Sequence, residues 1–254
     1  MAIVRRVLIV ALGIAVTAGV VAAILFFVAP RVPQLPANPF VPEEPLPTWV
    51  PPAPLEKAST PTGPGISGLA DPAWLDRVSE STGIPRRALA AYAGQAIVQE
   101  EHSTCDIGWN TLAGVGEVES HHGTIDGSSV GVDGTVSPPI YGIGLHGDGT
   151  DSVPDSDGGA IDADPAVDRA VGPMQMIPQT WRNWHTDASG DGVEDPQNID
   201  DATSAAAHYL CRATNQAMGT EAGWSAGILS YNGSQQYLAD VTRWAVRYAK
   251  DAAG

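Results

Sequence analysis

The stretch Trp109–Gly123, WNTLAGVGEVESHHG, places two carboxylates two residues apart, and helical spacing gives them different surroundings. At about 100° per residue, Trp109, Leu112, Val115, Gly116 and Glu119 share one face, while Glu117 falls with Ala113 and Ser120 on the other. Glu119 is therefore expected on the core side and Glu117 away from it. A carboxyl held against Leu112, Val115 and Trp109 loses hydration, which raises its pKa and lets it keep a proton near neutrality, as a general acid must. The competing reading is that Glu119 pairs with an arginine or caps a neighbouring loop.

Three further stretches carry polar groups in positions of interest. Gly172-Pro173-Met174-Gln175-Met176-Ile177-Pro178 leads into a helix starting at Pro178, so Gln175 sits on a turn ahead of a positive helix end and suits hydrogen bonding to a neutral polar ligand. Ser230-Tyr231-Asn232-Gly233 closes another helix with a phenol able to reach a carboxyl. Core filling by the methionines and plain packing by the tyrosine compete with these readings. Asp187, Ser189, Asp191, Val193 and Asp195 stand at alternate positions with Gly192 at the sixth, the oxygen-ligand spacing of an EF-hand calcium loop. The twelfth position is Asn198 and not the bidentate Glu, so Asp195–Asn198 also reads as the cap of the next helix. The six histidines lack zinc-ligand spacing, and no nucleophile elbow or phosphate loop is present.

The elements that must position these residues follow from local signals. Val7–Ala29 carries no charge over 23 residues behind Arg5 and Arg6, which predicts a membrane-spanning helix with its N-terminus in the cytoplasm; a cleaved signal peptide, hence secretion, is the alternative. Pro30–Pro64 holds 12 prolines and reads as an extended extracytoplasmic spacer. The organisation expected is thus an anchor over 1–29, a Pro-rich linker over 30–68 and one domain over 69–254. Asp71-Pro72 opens a helix that stops at Gly83, and Pro85 opens an Ala-rich helix reaching about Glu101. Helices are further predicted over Trp109–Ser120, Pro178–Trp184, Ile199–Arg212, Glu221–Tyr231 and Gln236–Ala249. Between them Thr124–Arg169 is a loop insertion rich in Gly, Asp, Ser and Pro, with only Pro138–Ile143 extended.

The formal charge is -16, and 13 acidic residues crowd Asp148–Asp201, which argues against nucleic acid as a partner. The two cysteines, Cys105 and Cys211, lie on the outer side of the predicted anchor, so one disulfide is expected, with two free thiols as the alternative.

The order of four motifs, G-E-V-E-S-H-H-G around Glu119, A-V-G-P-M-Q-M-I-P around Gln175, D-P-Q-N-I-D-D-A and S-Y-N-G around Tyr231, resembles the lytic murein transglycosylases with a goose-type-lysozyme-like domain, especially the anchored actinobacterial form. The resemblance spans about Ala70 to Tyr248, and the acidic insertion and Pro-rich stalk stand outside the family's common core. It implies a mainly α, lysozyme-like domain that cleaves the β-1,4 bond between N-acetylmuramic acid and N-acetylglucosamine in peptidoglycan without water, leaving 1,6-anhydro ends. Glu119 would be the single acid and base, Ser120, Met174 and Gln175 substrate contacts, and Tyr231 and Asn232 a pair beside the carboxyl. No cofactor is required on this reading, calcium being structural; glycan strands, the membrane and cell-wall or division proteins are the partners implied. A muramidase drawing a second carboxylate from Asp133, Asp162, Asp164 or Asp168, and a wall protein that grips glycan without cleaving it, remain alternatives.

Overall fold

A computed structural model of the chain describes residues 49–147 and 152–254. The expected anchor lies outside the described residues, among which no helix is long and apolar enough to cross a membrane. Seven α-helices are described: α1 (Pro72–Thr82), α2 (Arg86–His102), α3 (Trp109–Ser120), α4 (Pro178–Trp184), α5 (Ile199–Ala213), α6 (Glu221–Tyr231) and α7 (Gln235–Ala252). Their ends follow local chemistry. The Asp71 carboxylate accepts from the amides of Ala73 and Trp74 to start α1, and Gly83 stops it at φ 76°. Asn198, Thr220 and Ser234 cap α5, α6 and α7 in the same way.

α3 is the central helix. Every residue from Trp109 to Gly116 is buried, so the division of this helix into a core face and an outer face does not survive packing. Its closest neighbour is α7, which runs along it, with α2 on another side. Gly116 permits that approach: a Cβ there would fall 2.1 Å from the Tyr92 hydroxyl on α2. Trp109 meets Trp74 edge-on at 5.5 Å, joining α3 to α1. Arg87 of α2 binds Asp200 of α5 through two bonds of 2.8 and 2.6 Å, the Asp200 side chain being only 2% exposed.

The stretch from Trp49 to Gly68, expected as spacer, packs on the helices. Ala53 donates its amide to Asn110 at 3.0 Å, Trp109 Nε1 donates to the Pro54 carbonyl, and the amides of Ala58 and Asp71 reach the carbonyls of Leu69 and Glu56. Proline-rich chain has few donors of its own, but its carbonyls and apolar rings still serve a neighbour.

The insertion after α3 is more ordered than its composition suggests. β1 (Ser129–Val130) and β2 (Val136–Ser137) pair antiparallel, as do β3 (Tyr141–Gly144) and β4 (Arg169–Val171). Its aspartates do not only face solvent: Asp155 and Asp157 accept from successive amides between Asp157 and Ile161, and Asp162 accepts from Arg169 N at 2.8 Å. Short carboxylates that satisfy neighbouring amides fold a loop without hydrophobic periodicity, which is why no period appears in the sequence. Cys105 and Cys211 form the expected disulfide, tying the loop before α3 to α5 with Cα atoms 5.5 Å apart.

Candidate active site

Glu119 is the last residue but one of α3 and faces a cleft of about 830 Å³. One wall is the insertion and its sheet, through Leu145, Val153 and Ala170; the other comes from α5 and the end of α6, through Tyr209, Ser230, Tyr231 and Asn232. The floor is the turn before α4, with Gln175, Met176, Ile177 and, one turn into the helix, Thr180. Glu119 is the one acidic side chain that lines this cleft among the described residues.

Burial pushes the Glu119 carboxyl up to about 7, although the hydroxyl of Tyr237, donating to Oε1 at 2.5 Å, works in the opposite direction. Tyr237 belongs to a cluster of tyrosines at the cleft. Tyr231 and Tyr237 stack with their planes 6° apart, and Tyr209 meets Tyr231 edge-on at 5.6 Å. No arginine or lysine pairs with Glu119 among the described residues.

Glu117 is far from free. Its side chain is 14% exposed and accepts from His122 Nε2 at 3.0 Å, His121 Nδ1 at 3.0 Å and Tyr248 at 3.1 Å. Burial opposes its charge, but these hydrogen bonds outweigh it and hold the carboxyl at about 2. Two carboxyls two residues apart are thus driven in opposite directions, one kept ionised and one kept protonated into the neutral range.

The other expected site residues divide. Gln175 lines the cleft from a left-handed turn at φ 48°, its amide nitrogen donating to the Gly172 carbonyl at 3.0 Å and leaving Oε1 as the free acceptor. Gly142 of β3 makes room for it, since a Cβ there would lie 2.8 Å from that oxygen. Asn232 lines the cleft and accepts from Ser234 N. Tyr231 lines it as well, but its phenol donates to the Met174 carbonyl at 2.7 Å and not to Glu119. The Met174 side chain is fully buried, so Met176 is the methionine facing the cleft. Ser120 is 1% exposed; its hydroxyl donates to the Pro173 carbonyl at 2.6 Å and accepts from Gly123 N, joining the end of α3 to the glutamine turn. Ser120 and Met174 therefore build the site without lining it.

Tyr237, inside the helix predicted over Gln236–Ala249, is not among the expected site residues, yet it is the hydrogen-bond partner of Glu119. The available signal was a phenol on an apolar stripe, whose hydroxyl must find an acceptor once buried. Tyr209, Ile177 and Thr180 carried no signal of their own.

The proposed second carboxylates are elsewhere. None of Asp133, Asp162, Asp164 and Asp168 lines the cleft; Asp162 and Asp168 are fully buried and occupied by amides of the insertion. Among the described residues the acidic ligand atoms that converge within 4.8 Å belong to Asp155, Asp157 and Asp168, a set that could hold a hard cation such as calcium. The residues expected to do so, Asp187, Ser189, Asp191, Val193 and Asp195, do not form such a group; Asp187 accepts from the amides of Gly190, Asp191 and Gly192, and Asp191 from Val193. That loop is held to α5 by Asp201, which accepts from the amides of Ala188, Ser189 and Asp195.

No protein-family model and no curated protein matches the chain. Among solved structures, an Escherichia coli lytic transglycosylase in complex with bulgecin A matches at 13% identity and a TM-score of 0.41, over 77% of this chain and 82% of that one.

Proposed function

We propose that this protein is a lytic transglycosylase that cleaves the glycan of peptidoglycan with Glu119 as its single acid and base. The observation that carries this reading is one carboxyl, pushed to about 7, in a cleft that no second carboxylate lines among the described residues. Glycosidases that use water place two carboxyls across the scissile bond, one for each job. A site with one suits a reaction in which the same group does both jobs in succession and the second nucleophile is a hydroxyl of the substrate.

Because Oε1 accepts from Tyr237, Oε2 carries the proton and delivers it to the glycosidic oxygen. The acetamido group of the muramic sugar stabilises the resulting cation, and the Glu119 carboxylate then takes the proton of the C6 hydroxyl as that oxygen closes the 1,6-anhydro ring. No water enters the balance. Tyr209 and Tyr231 offer ring surface to sugar faces, while Gln175 Oε1 and Asn232 offer hydrogen bonds to hydroxyl and acetamido groups. The four-motif resemblance supports the same substrate. A pure binder gains nothing from a carboxyl held protonated at neutrality.

The test is product analysis on purified cell-wall glycan. Anhydro ends by mass spectrometry, lost in Glu119→Gln, are expected; reducing ends would make the protein a muramidase, and full activity in Glu119→Gln would remove this carboxyl from the chemistry.

A further inference from the structure

The turn that follows Glu119 is strained and is held by a buried side-chain cluster that the proposed chemistry does not use. His121, His122 and Gly123 adopt φ of 49°, 60° and 82°, three left-handed residues in succession of which two carry a Cβ. A residue with a Cβ is strained in this conformation and persists there only where its surroundings over-determine it. Here the surroundings are those of the His122 ring, only 3% exposed, between Tyr92 of α2 at 5.6 Å and Tyr248 of α7 at 5.7 Å. In its Nε2–H tautomer the imidazole accepts from Tyr92 at Nδ1, 3.1 Å, and donates from Nε2 to Glu117, 3.0 Å, with the Tyr248 hydroxyl 2.9 Å away. None of these four residues lines the Glu119 cleft.

The same helices that hold this cluster hold the acid. α7 grips α3 twice, by Tyr237 on Glu119 and by Tyr248 on Glu117. Ser120, between Glu119 and the strained turn, is bonded on one side to Gly123 N and on the other to the carbonyl of Pro173, next to Met174 and Gln175. Any shift of the turn therefore moves the acid and the glutamine turn together. We infer that His122 is a positioning residue: with Tyr92, Tyr248 and Glu117 it locks the left-handed turn that aims the Glu119 carboxyl into the cleft and against Tyr237. This inference rests on the proposed role of Glu119, and its test has a readout that does not need turnover.

In His122→Phe the ring is kept and its hydrogen bonds are lost. Side-chain NMR of labelled glutamate should show the Glu119 titration moved down: burial, the larger cause of its height, is relieved as the loosened carboxyl gains water, and this outweighs loss of the opposing Tyr237 bond. With glycan as substrate, kcat should fall 10- to 100-fold with KM within about twofold, and the alkaline limb of the rate profile should move down with the titration. Tyr248→Phe, which removes one hydroxyl, should fold regardless and show the same changes at smaller size. A lowered melting temperature with the Glu119 titration, kcat and alkaline limb unchanged in both variants would reduce His122 to a structural residue and overturn the inference. An unmodified protein inactive on glycan would instead sink the proposed function while leaving the titration result to stand.

Discussion

Glu119 and Glu117 show how far two neighbouring carboxyls can diverge when one is enclosed by rings and the other by donors. If Glu119 delivers the first proton, the rate must fall as pH rises through about 7, where that proton is lost. The sign for stability follows from the same shift. A carboxyl whose pKa is higher folded than unfolded binds extra protons in the native state between its ordinary value and about 7, so its ionisation destabilises the fold as pH rises through that window. Glu119→Gln removes this penalty. Its melting temperature should exceed that of the parent at pH 8, by an amount corresponding to about 2–3 kcal/mol, and by much less at pH 5, as differential scanning calorimetry would record. Tyr237→Phe acts through the hydrogen bond and not through burial: losing a bond that lowers the Glu119 pKa should move the alkaline limb of the rate profile upward, the reverse of the shift expected for His122→Phe, and should slow turnover roughly tenfold.

The acidic loops of the domain are held by carboxylates that accept backbone amides. Asp201 is the clearest case. It sits in the first turn of α5, is fully buried, and accepts the amides of Ala188, Ser189 and Asp195, so the acidic loop before α5 folds back on that helix. Burial still pushes its carboxyl up to about 6 against those three bonds. Asp201→Ala leaves three donors without their acceptor and should cost about 2–4 kcal/mol in urea unfolding, with the Glu119 titration unchanged because the loop does not touch the cleft. A loss below 0.5 kcal/mol would show that water replaces the carboxylate at no cost.

Over the whole domain the disulfide is the longest covalent constraint, closing a sequence separation of 106 residues between the loop before α3 and the last turns of α5. In the chain-entropy account a closed loop of that length stabilises by about 4–5 kcal/mol. Cys105→Ser with Cys211→Ser should lower the melting temperature by roughly 10–15 °C for a domain of this size, while the helices keep their bounds by circular dichroism at 25 °C. A drop under about 3 °C would mean that the unfolded chain is already nearly as compact without the cross-link as with it, so that the disulfide removes little of its entropy.

Much of this arrangement could be read from short stretches of chain. Asp71-Pro72 and Gly83, Thr220 with Asn232, and Pro178 mark helix ends because capping involves residues a few positions apart, and those helices begin or end where the caps say. The candidate acid was legible through a short stretch too: the resemblance of G-E-V-E-S to the family's motif points to Glu119 and not Glu117. Its surroundings were not. The phenol bonded to Glu119 lies 118 residues further along the chain, the donors that keep Glu117 ionised include one 131 residues away, and no local period announces either. The same holds for Ser120 and Met174, expected in contact with substrate and found beneath the site, and for the insertion, whose aspartates fold it through their own amides. Helix bounds are decided by neighbours in the chain, whereas a carboxyl's pKa is decided by neighbours in space, and for α3 those are chosen by the packing of α2 and α7 around it.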